Sequence, residues 1–336
     1  MAEIVQKRTI TIKRKYVYWV VQLMFVLALV GFMYTYLTNK NVFQGLQNFT
    51  TTANGEPSFV KVIYGKFGGG EFDKPMAVTV ANDKIYISDT NNKRVQIFDY
   101  SGNPIKTFGT WGSKPGQFQF PYGVAGDSKG IIYVADLYNG TVSKFDKDGK
   151  FLSLFAEKQA SDKVFTAPAG LAIKDDKVYV TDVRQNTVKV FDSNGNLVKQ
   201  IGKPGTGLGQ LNAPNAVTVD NDGNIYVTDT GNQRVQVFDK NGKFQKIING
   251  SLDGKGQSVF VNPRGVGVDD RGNVYVVSNL THRLYAFDKT GKQLFTLGGY
   301  GEGEKQFVLP NGLFIDDSGR VYVTDTNNER VAVFQS

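Results

Sequence analysis

One short pattern recurs six times along this chain, and it constrains the fold more than any other feature. Each copy places a tyrosine between two β-branched residues, and the tyrosines follow one another at intervals of 47, 46, 47, 49 and 47 residues. They are Tyr86, Tyr133, Tyr179, Tyr226, Tyr275 and Tyr322. A proline keeps the same phase at Pro75, Pro121, Pro168, Pro214, Pro263 and Pro310. Two markers with one period indicate a structural repeat of about 47 residues whose neighbours pack together.

Each repeat predicts four short strands separated by tight turns. In the fourth copy, polar turns rich in Asn, Asp and Gly occupy 221–224 and 239–242, and such residues supply the positive φ that tight hairpins need. Four strands of about six residues, with their loops, fill one period. Four-stranded antiparallel units at this spacing are propeller blades. The sequence therefore predicts an all-β, six-bladed β-propeller over residues 58–336.

The two ends of the repeat region predict how the ring closes. The last copy ends at Phe334, after its third strand, and lacks a fourth. Residues 58–65 resemble the fourth strands of other copies, at 196–202 and 292–298. We therefore expect residues 58–65 to supply the outer strand of the last blade, which closes the ring and removes an exposed edge.

The N-terminus predicts a membrane anchor. Residues 16–37 contain no charged side chain, and 22 residues of helix span roughly 33 Å, enough for a bilayer core. Residues 1–15 are basic, which predicts a cytoplasmic tail and a propeller outside the cell. The alternatives are a cleaved signal peptide and a buried core helix. The apolar region of a signal peptide, however, is shorter and ends at small residues. We expect a single-pass signal-anchor in the lipid bilayer of the cell membrane, followed by a linker over 38–57.

Composition narrows the chemistry. The chain has no cysteine and one histidine, which excludes disulfides, thiol nucleophiles and sites that need several histidines. The net charge is +8, but six of the lysines and arginines lie in residues 1–40 against one glutamate. The rest is nearly neutral, which disfavours a nucleic-acid partner. The sequence predicts neither a metal nor a cofactor.

The repeats resemble the NHL repeat family, most clearly at 214–220 and 223–238. The resemblance covers residues 58–336 and suggests a membrane-anchored bacterial or archaeal type. It implies a ring with a central channel and one functional face. Propellers of this kind serve as protein- or RNA-binding modules, as sensor domains of receptor kinases and, in relatives, as lyases and lactonases.

The resemblance also implies a structural role for the family's aspartate and arginine, which tie down the loop between the second and third strands. Three copies keep both residues: Asp89 with Arg94, Asp229 with Arg234, and Asp325 with Arg330. The second and third copies have Thr141 and Thr187 in place of the arginine, and the fifth has Ser278 in place of the aspartate.

The residue after each proline is predicted to line the channel mouth. These residues are Met76, Tyr122, Ala169, Asn215, Arg264 and Asn311. The functional interpretation is a pocket in which Arg264 holds an anion while Tyr122 and Met76 give apolar contact. The alternative is a solvated mouth with no ligand.

Candidate residues for other roles are few. Trp111 and His282 are the predicted protein contacts. A single loop histidine does not suffice for the lyase chemistry of relatives, and Asn215 and Asn311 lack the carboxylates of a lactonase calcium site. We therefore predict a non-catalytic binding or scaffold module for another envelope protein or ligand, which docks on the loop-rich face. The alternatives are a lyase- or lactonase-like enzyme and an RNA-binding module.

Overall fold

A computed structural model describes residues 55–65, 70–156 and 164–336. The predicted tail (1–15), membrane helix (16–37) and most of the linker (38–57) lie outside them. The strands are β1 (Ser58–Tyr64), β2 (Pro75–Ala81), β3 (Lys84–Asp89), β4 (Arg94–Asp99), β5 (Pro104–Phe108), β6 (Pro121–Gly126), β7 (Ile132–Asp136), β8 (Thr141–Phe145), β9 (Phe151–Leu154), β10 (Pro168–Lys174), β11 (Lys177–Asp182), β12 (Thr187–Asp192), β13 (Leu197–Ile201), β14 (Pro214–Val219), β15 (Ile225–Asp229), β16 (Arg234–Phe238), β17 (Phe244–Ile248), β18 (Pro263–Val268), β19 (Val274–Ser278), β20 (Arg283–Phe287), β21 (Gln293–Gly298), β22 (Leu313–Ile315), β23 (Arg320–Asp325) and β24 (Arg330–Gln335). Two 3₁₀ turns cover Thr230–Asn232 and Thr326–Asn328.

The strands form six antiparallel sheets of four strands each, which confirms the predicted six-bladed propeller. Blades 1 to 5 are β2–β5, β6–β9, β10–β13, β14–β17 and β18–β21 in chain order. Blade 6 combines β22–β24 with β1. The inner strands of blades 1 to 5 begin at the proline, and that of blade 6 begins at Leu313, shortly after Pro310. One face of the ring therefore carries the residues after the prolines, the loops between second and third strands, and the loops into the next blade. We call it the mouth face.

Strand β1 closes the ring, as predicted for residues 58–65. It runs antiparallel to β24, with Ser58 opposite Gln335 and Ile63 opposite Val331. Ile63 is buried in the cluster of apolar side chains between blades 6 and 1. The last sheet therefore joins the two ends of the propeller, and β24 has a paired neighbour on each side.

The expected membrane helix is not supported. The part of the chain that the structure describes contains no helix long and apolar enough to cross a membrane. The prediction rested on the length and hydropathy of an apolar run, which show that a helix there would be long enough but not that one forms. The fold class is therefore corrected to an all-β six-bladed propeller, without support for a preceding transmembrane helix.

Apolar side chains fill the spaces between adjacent blades. Between blades 1 and 2, for example, Phe118 is fully buried, and its ring centroid lies 5.7 Å from that of Phe145. The repeated tyrosine contributes there too, because Tyr86 is buried and its hydroxyl donates to the carbonyl of Lys147 in the next blade. Each such side chain contributes about 1.5–3 kcal/mol by its burial, so the blades hold one another in register.

The inner strands approach one another too closely for large side chains. A Cβ on Gly123 would lie 2.1 Å from the carbonyl oxygen of Ala169 in the next blade, and one on Gly312 would lie 2.5 Å from that of Met76. Both glycines directly follow the residues expected at the mouth. Because glycine has no side chain, neighbouring backbones can approach one another closely around the axis.

Candidate binding site at the channel mouth

Hydroxyl groups from the repeated motif fix the backbone around the mouth. Each belongs to the Ser or Thr directly before the motif's aspartate. Each hydroxyl accepts a hydrogen bond from a backbone N–H near the start of the inner strand of its own blade. It also donates a hydrogen bond to the backbone carbonyl of the mouth residue in the next blade. The donor–acceptor distances are 2.7 Å from Ser88 to Tyr122, 2.9 Å from Thr181 to Asn215, 3.0 Å from Thr228 to Arg264 and 3.2 Å from Thr324 to Met76. The sequence analysis missed this role, although the recurrence of Ser or Thr at this position was the available signal.

Three of the predicted mouth residues meet across the channel. The phenol oxygen of Tyr122 lies 2.9 Å from Oδ1 of Asn215 and 2.9 Å from Oδ1 of Asn311. All three side chains are buried, with 7%, 4% and 6% exposed. A phenol has a single proton, so at any moment it donates to one of these two amide oxygens. This arrangement closes the mouth with a hydrogen-bonded hub.

The hub changes the role expected of Tyr122. Its ring was predicted to offer apolar contact to a ligand. The side chain is instead buried, and its hydroxyl lies within hydrogen-bond distance of Asn215 in blade 4 and Asn311 in blade 6. Behind the hub, the channel encloses a cavity of about 270 Å³. Aliphatic side chains such as Val124 and Val266 line its wall. Its far end is bordered by acidic turn residues, including Asp270 and Asp317.

Arg264 is different because its charge is not compensated. Its Nε is buried and has no hydrogen-bond partner among the residues that the structure describes, and its guanidinium forms no ion pair there. A desolvated polar group without a partner costs about 1–3 kcal/mol, and more when it is charged. Arg264 is therefore the mouth residue that is best placed to bind an anion.

A second cavity, of about 570 Å³, lies beside the hub on the mouth face, and we call it the blade 3–5 groove. It is lined by Val183, Ala213, Asn215, Thr230, Gly231, Gln233, Val261, Asn262, Arg264 and Leu280. Asn215 and Arg264 also border the central channel. Val261 and Leu280 expose 41% and 54% of their surface, and the lining contains no carboxylate. The groove thus combines aliphatic walls with one unpaired cation.

The other two mouth residues contribute less. Ala169 is fully buried and presents no surface to a ligand. Met76 is half-buried, lines the channel cavity and accepts the hydroxyl of Thr324 through its carbonyl. The six predicted residues therefore separate into the hub, the groove residue Arg264, the channel-wall residue Met76 and the buried Ala169.

The structure brings the three aspartate–arginine pairs together. The Nε–Oδ2 distances are 2.6 Å for Arg94 and Asp89, 2.7 Å for Arg234 and Asp229, and 2.8 Å for Arg330 and Asp325. All three carboxylates are fully buried. The arginines also donate to backbone carbonyls of the loop that enters their blade, as Arg234 does to Gly207. These pairs hold the loops of the mouth face in place.

Two of the blades that depart from this pattern hold their loops with other groups. In blade 3, Lys189 lies two residues beyond Thr187, donates to the carbonyl of Val164 and stacks 5.6 Å above the Phe165 ring. In blade 5, the hydroxyl of Ser278 accepts from the backbone N–H of Val261 at 3.0 Å. In blade 5, Arg283 is exposed and forms no ion pair with any carboxylate in the described part of the chain.

The two predicted contact residues lie in loops of the mouth face. Trp111, in the loop between blades 1 and 2, is 74% exposed. His282 is half-buried, and its Nδ1 accepts from the backbone N–H of Leu309 at 3.1 Å, just as Oδ1 of Asn186 accepts from Ala213 two blades earlier. The imidazole therefore ties blade 5 to blade 6. The described residues contain no group of His, Cys, Asp and Glu that could hold a metal ion.

Family profiles match three parts of the propeller. One described as "NHL repeat" matches residues 211–238 and 307–334. Another, described as "6-bladed beta-propeller", matches residues 71–157. The first includes the segment on which the resemblance was recognised.

Curated relatives share the repeats over part of their length. Protein brain tumor of Drosophila melanogaster is 30% identical over 152 residues, which are 42% of this chain and 14% of the fly protein. RING finger protein nhl-1 of Caenorhabditis elegans is 37% identical over 81 residues, 24% of this chain and 8% of the worm protein. The chain thus matches only a small part of these relatives.

Solved structures share the fold at low identity. A streptogramin B lyase is 14% identical with a TM-score of 0.55, covering 84% of this chain and 86% of its own. A catalytically inactive virginiamycin B lyase from Staphylococcus aureus, solved with quinupristin, is 12% identical with a TM-score of 0.56, covering 85% and 98%. Likeness at this identity reports the fold alone. Together with the profile matches, it establishes that this chain carries NHL repeats within a six-bladed β-propeller domain.

Proposed function

We propose that the propeller is a non-catalytic binding module whose mouth face holds an anionic group of another protein or ligand on Arg264. The supporting observation is the buried Nε of Arg264, which has no partner in the described part of the chain. A bound carboxylate or phosphate would accept from the guanidinium through short, charge-assisted hydrogen bonds. The energetic cost of the buried donor would then be recovered on binding.

The surroundings of Arg264 favour binding. The polar side chains of the hub satisfy one another, so Tyr122 and Asn311 keep the backbone of the mouth fixed. Thr228 donates to the carbonyl of Arg264 at 3.0 Å and holds that residue against blade 4. The cation is therefore presented on a rigid support, which limits the ordering cost of association.

Thermal unfolding of the full-length protein tests the anion site with isovalerate, a small carboxylate with a branched apolar end. At a concentration about tenfold above its dissociation constant, we expect the unfolding temperature to rise by roughly 2–4 °C over chloride at equal ionic strength. Arg264→Gln should abolish this rise. Arg271→Gln is the matched control, because Arg271 lies on the opposite face of the same blade and pairs with Asp269. An equal response of both variants would contradict the proposal.

A further inference from the structure

We infer that the blade 3–5 groove docks an extended segment of a partner protein in which an acidic side chain lies beside an aliphatic one. The inference rests on the proposed function, since Arg264 is the residue that takes the carboxylate. It adds the class of partner, the second cation and the apolar contact. The charge of the groove, its apolar side chains and its lack of aromatic side chains each support the inference.

The charge of the groove is unbalanced. Arg264 lies in its lining. Outside the lining, Arg184 directly follows Val183 in the chain, and Arg283 directly follows the loop that contains Leu280. Neither of these exposed guanidiniums has an ion pair among the described residues. No aspartate or glutamate lines the cavity. A segment with carboxylates therefore complements this surface in charge.

The cation in blade 5 is available because of one substitution within the repeat. Arg94, Arg234 and Arg330 are all occupied by the buried aspartate of their own blade. Ser278 takes the place of that aspartate in blade 5 and satisfies the loop backbone without charge. Arg283 consequently faces solvent. Of the four arginines at this repeat position, Arg283 is the one without an ion pair among the described residues.

The apolar walls require an aliphatic side chain in the partner. Val261 and Leu280 are 41% and 54% exposed on either side of Arg264 in sequence, and Val183 reaches the groove from blade 3. Covering these side chains removes apolar surface from water, which favours association. A volume of about 570 Å³ lies within the range of sites that take a few side chains.

An extended peptide fits this lining better than single-stranded RNA. Bases stack on aromatic rings or on arginine planes held in an aromatic platform, and no aromatic side chain lines the groove. Gln233 is exposed, and its side-chain amide has no hydrogen-bond partner in the described residues. It offers the donor and acceptor pair that a peptide backbone uses.

Selection of a displayed random heptapeptide library on the full-length protein, followed by fluorescence polarisation of the selected peptides, tests the inference. We expect selected sequences with Asp or Glu next to Leu, Ile or Val. Arg264→Gln and Arg283→Gln should each weaken binding by roughly tenfold, and Leu280→Ser should weaken it as well. Arg271→Gln should leave the affinity unchanged. Replacing the acidic residue of the peptide by its amide should reproduce the loss caused by Arg264→Gln.

Three outcomes would overturn the inference. They are selected peptides without an acidic residue, equal affinity for Arg283→Gln and wild type, and tighter binding of an oligouridine that the same variants abolish. The isovalerate experiment separates this failure from that of the anion site. If isovalerate stabilises the protein through Arg264 but no acidic peptide binds, only the peptide assignment fails. If neither binds, both fail.

Discussion

Tyr122, Asn215 and Asn311 meet at the axis because blades 2, 4 and 6 are one third of the ring apart. Each side chain projects from the N-terminal end of an inner strand or from the residues just before it, where glycines let neighbouring backbones approach closely. A tyrosine is long enough to reach the axis and ends in a group that both donates and accepts. Three blades that share no sheet are thereby connected through a single oxygen atom.

Removal of that oxygen is expected to weaken the ring. Tyr122→Phe should lower the free energy of unfolding by about 1–3 kcal/mol, because two buried amides lose a partner. Urea unfolding measures this change. Tyr138→Phe is the control, since Tyr138 is 62% exposed and makes no hydrogen bond through its hydroxyl among the described residues. A loss no larger than that of the control would show that the hub does not contribute to stability.

The hydroxyl of Thr228 makes a second prediction at this scale. Thr228→Val keeps the shape but loses the bonds to the N–H of Ala216, at 2.7 Å, and the carbonyl of Arg264, at 3.0 Å. We expect a loss of about 1–3 kcal/mol and weaker isovalerate binding, because the backbone of Arg264 is no longer held. Thr206→Val, in an exposed loop, is the control. Unchanged isovalerate affinity would contradict the positioning role.

Sequence reasoning located these residues better than it explained them. The prolines lie at or just before the start of each inner strand, so the residues that follow them lie near the mouth. That Tyr122 would reach Asn215 could not be predicted, because the contact depends on the diameter of the ring and not on local spacing. That the Nε of Arg264 would have no hydrogen-bond partner among the described residues could not be predicted either, because it depends on how the whole ring packs around it.

At the level of elements, strand β1 shows how a single pairing completes the fold. Its side chains also contact blade 1, where the amine of Lys61 donates to the carbonyl of Tyr100. Lys199 makes the equivalent bond to Lys240 between blades 3 and 4, at 2.6 Å. Adjacent blades are thus linked on the face opposite the mouth by amines of the outer strands.

The environment of Lys61 predicts a dependence of stability on pH. Burial, and secondarily the charge of Arg320, lower the pKa of Lys61 from 10.5 to about 8, although Asp99 opposes this. Between those two values the unfolded chain binds more protons than the folded one, so stability rises with pH in this window. Burial also raises the pKa of Tyr86 to about 12, so stability falls again once unfolded tyrosines ionise, above about pH 10.

Urea unfolding between pH 7.5 and 10 measures the contribution of Lys61. The rise in stability should be smaller in Lys61→Met than in the wild type. Lys199→Met is the matched control, because it removes the equivalent bond between internal blades. Parallel pH profiles for Lys61→Met and the wild type would contradict the assignment to Lys61.

At the level of the whole molecule, the repeats in the sequence predict the fold, and the blades that depart from the repeat pattern indicate the candidate site. The repeated tyrosines and prolines predicted the number of blades and the pairing of residues 58–65, because both follow from the period and from counting strands. The membrane helix was inferred from one apolar run and the residues that flank it, without a repeat to support it, and it is not supported. The candidate site lies where blade 5 departs from the pattern, since identical blades would satisfy all of their charges internally.

The pairing of β1 with β24 has a mechanical consequence. The chain that precedes residue 58 leads directly into β1, the strand that closes the propeller ring by pairing with β24. Ser58 lies opposite Gln335, at the end of the ladder. Tension on that preceding chain would therefore peel the bonds apart in succession instead of loading them in parallel, and the first part of the ring to yield would be this seam.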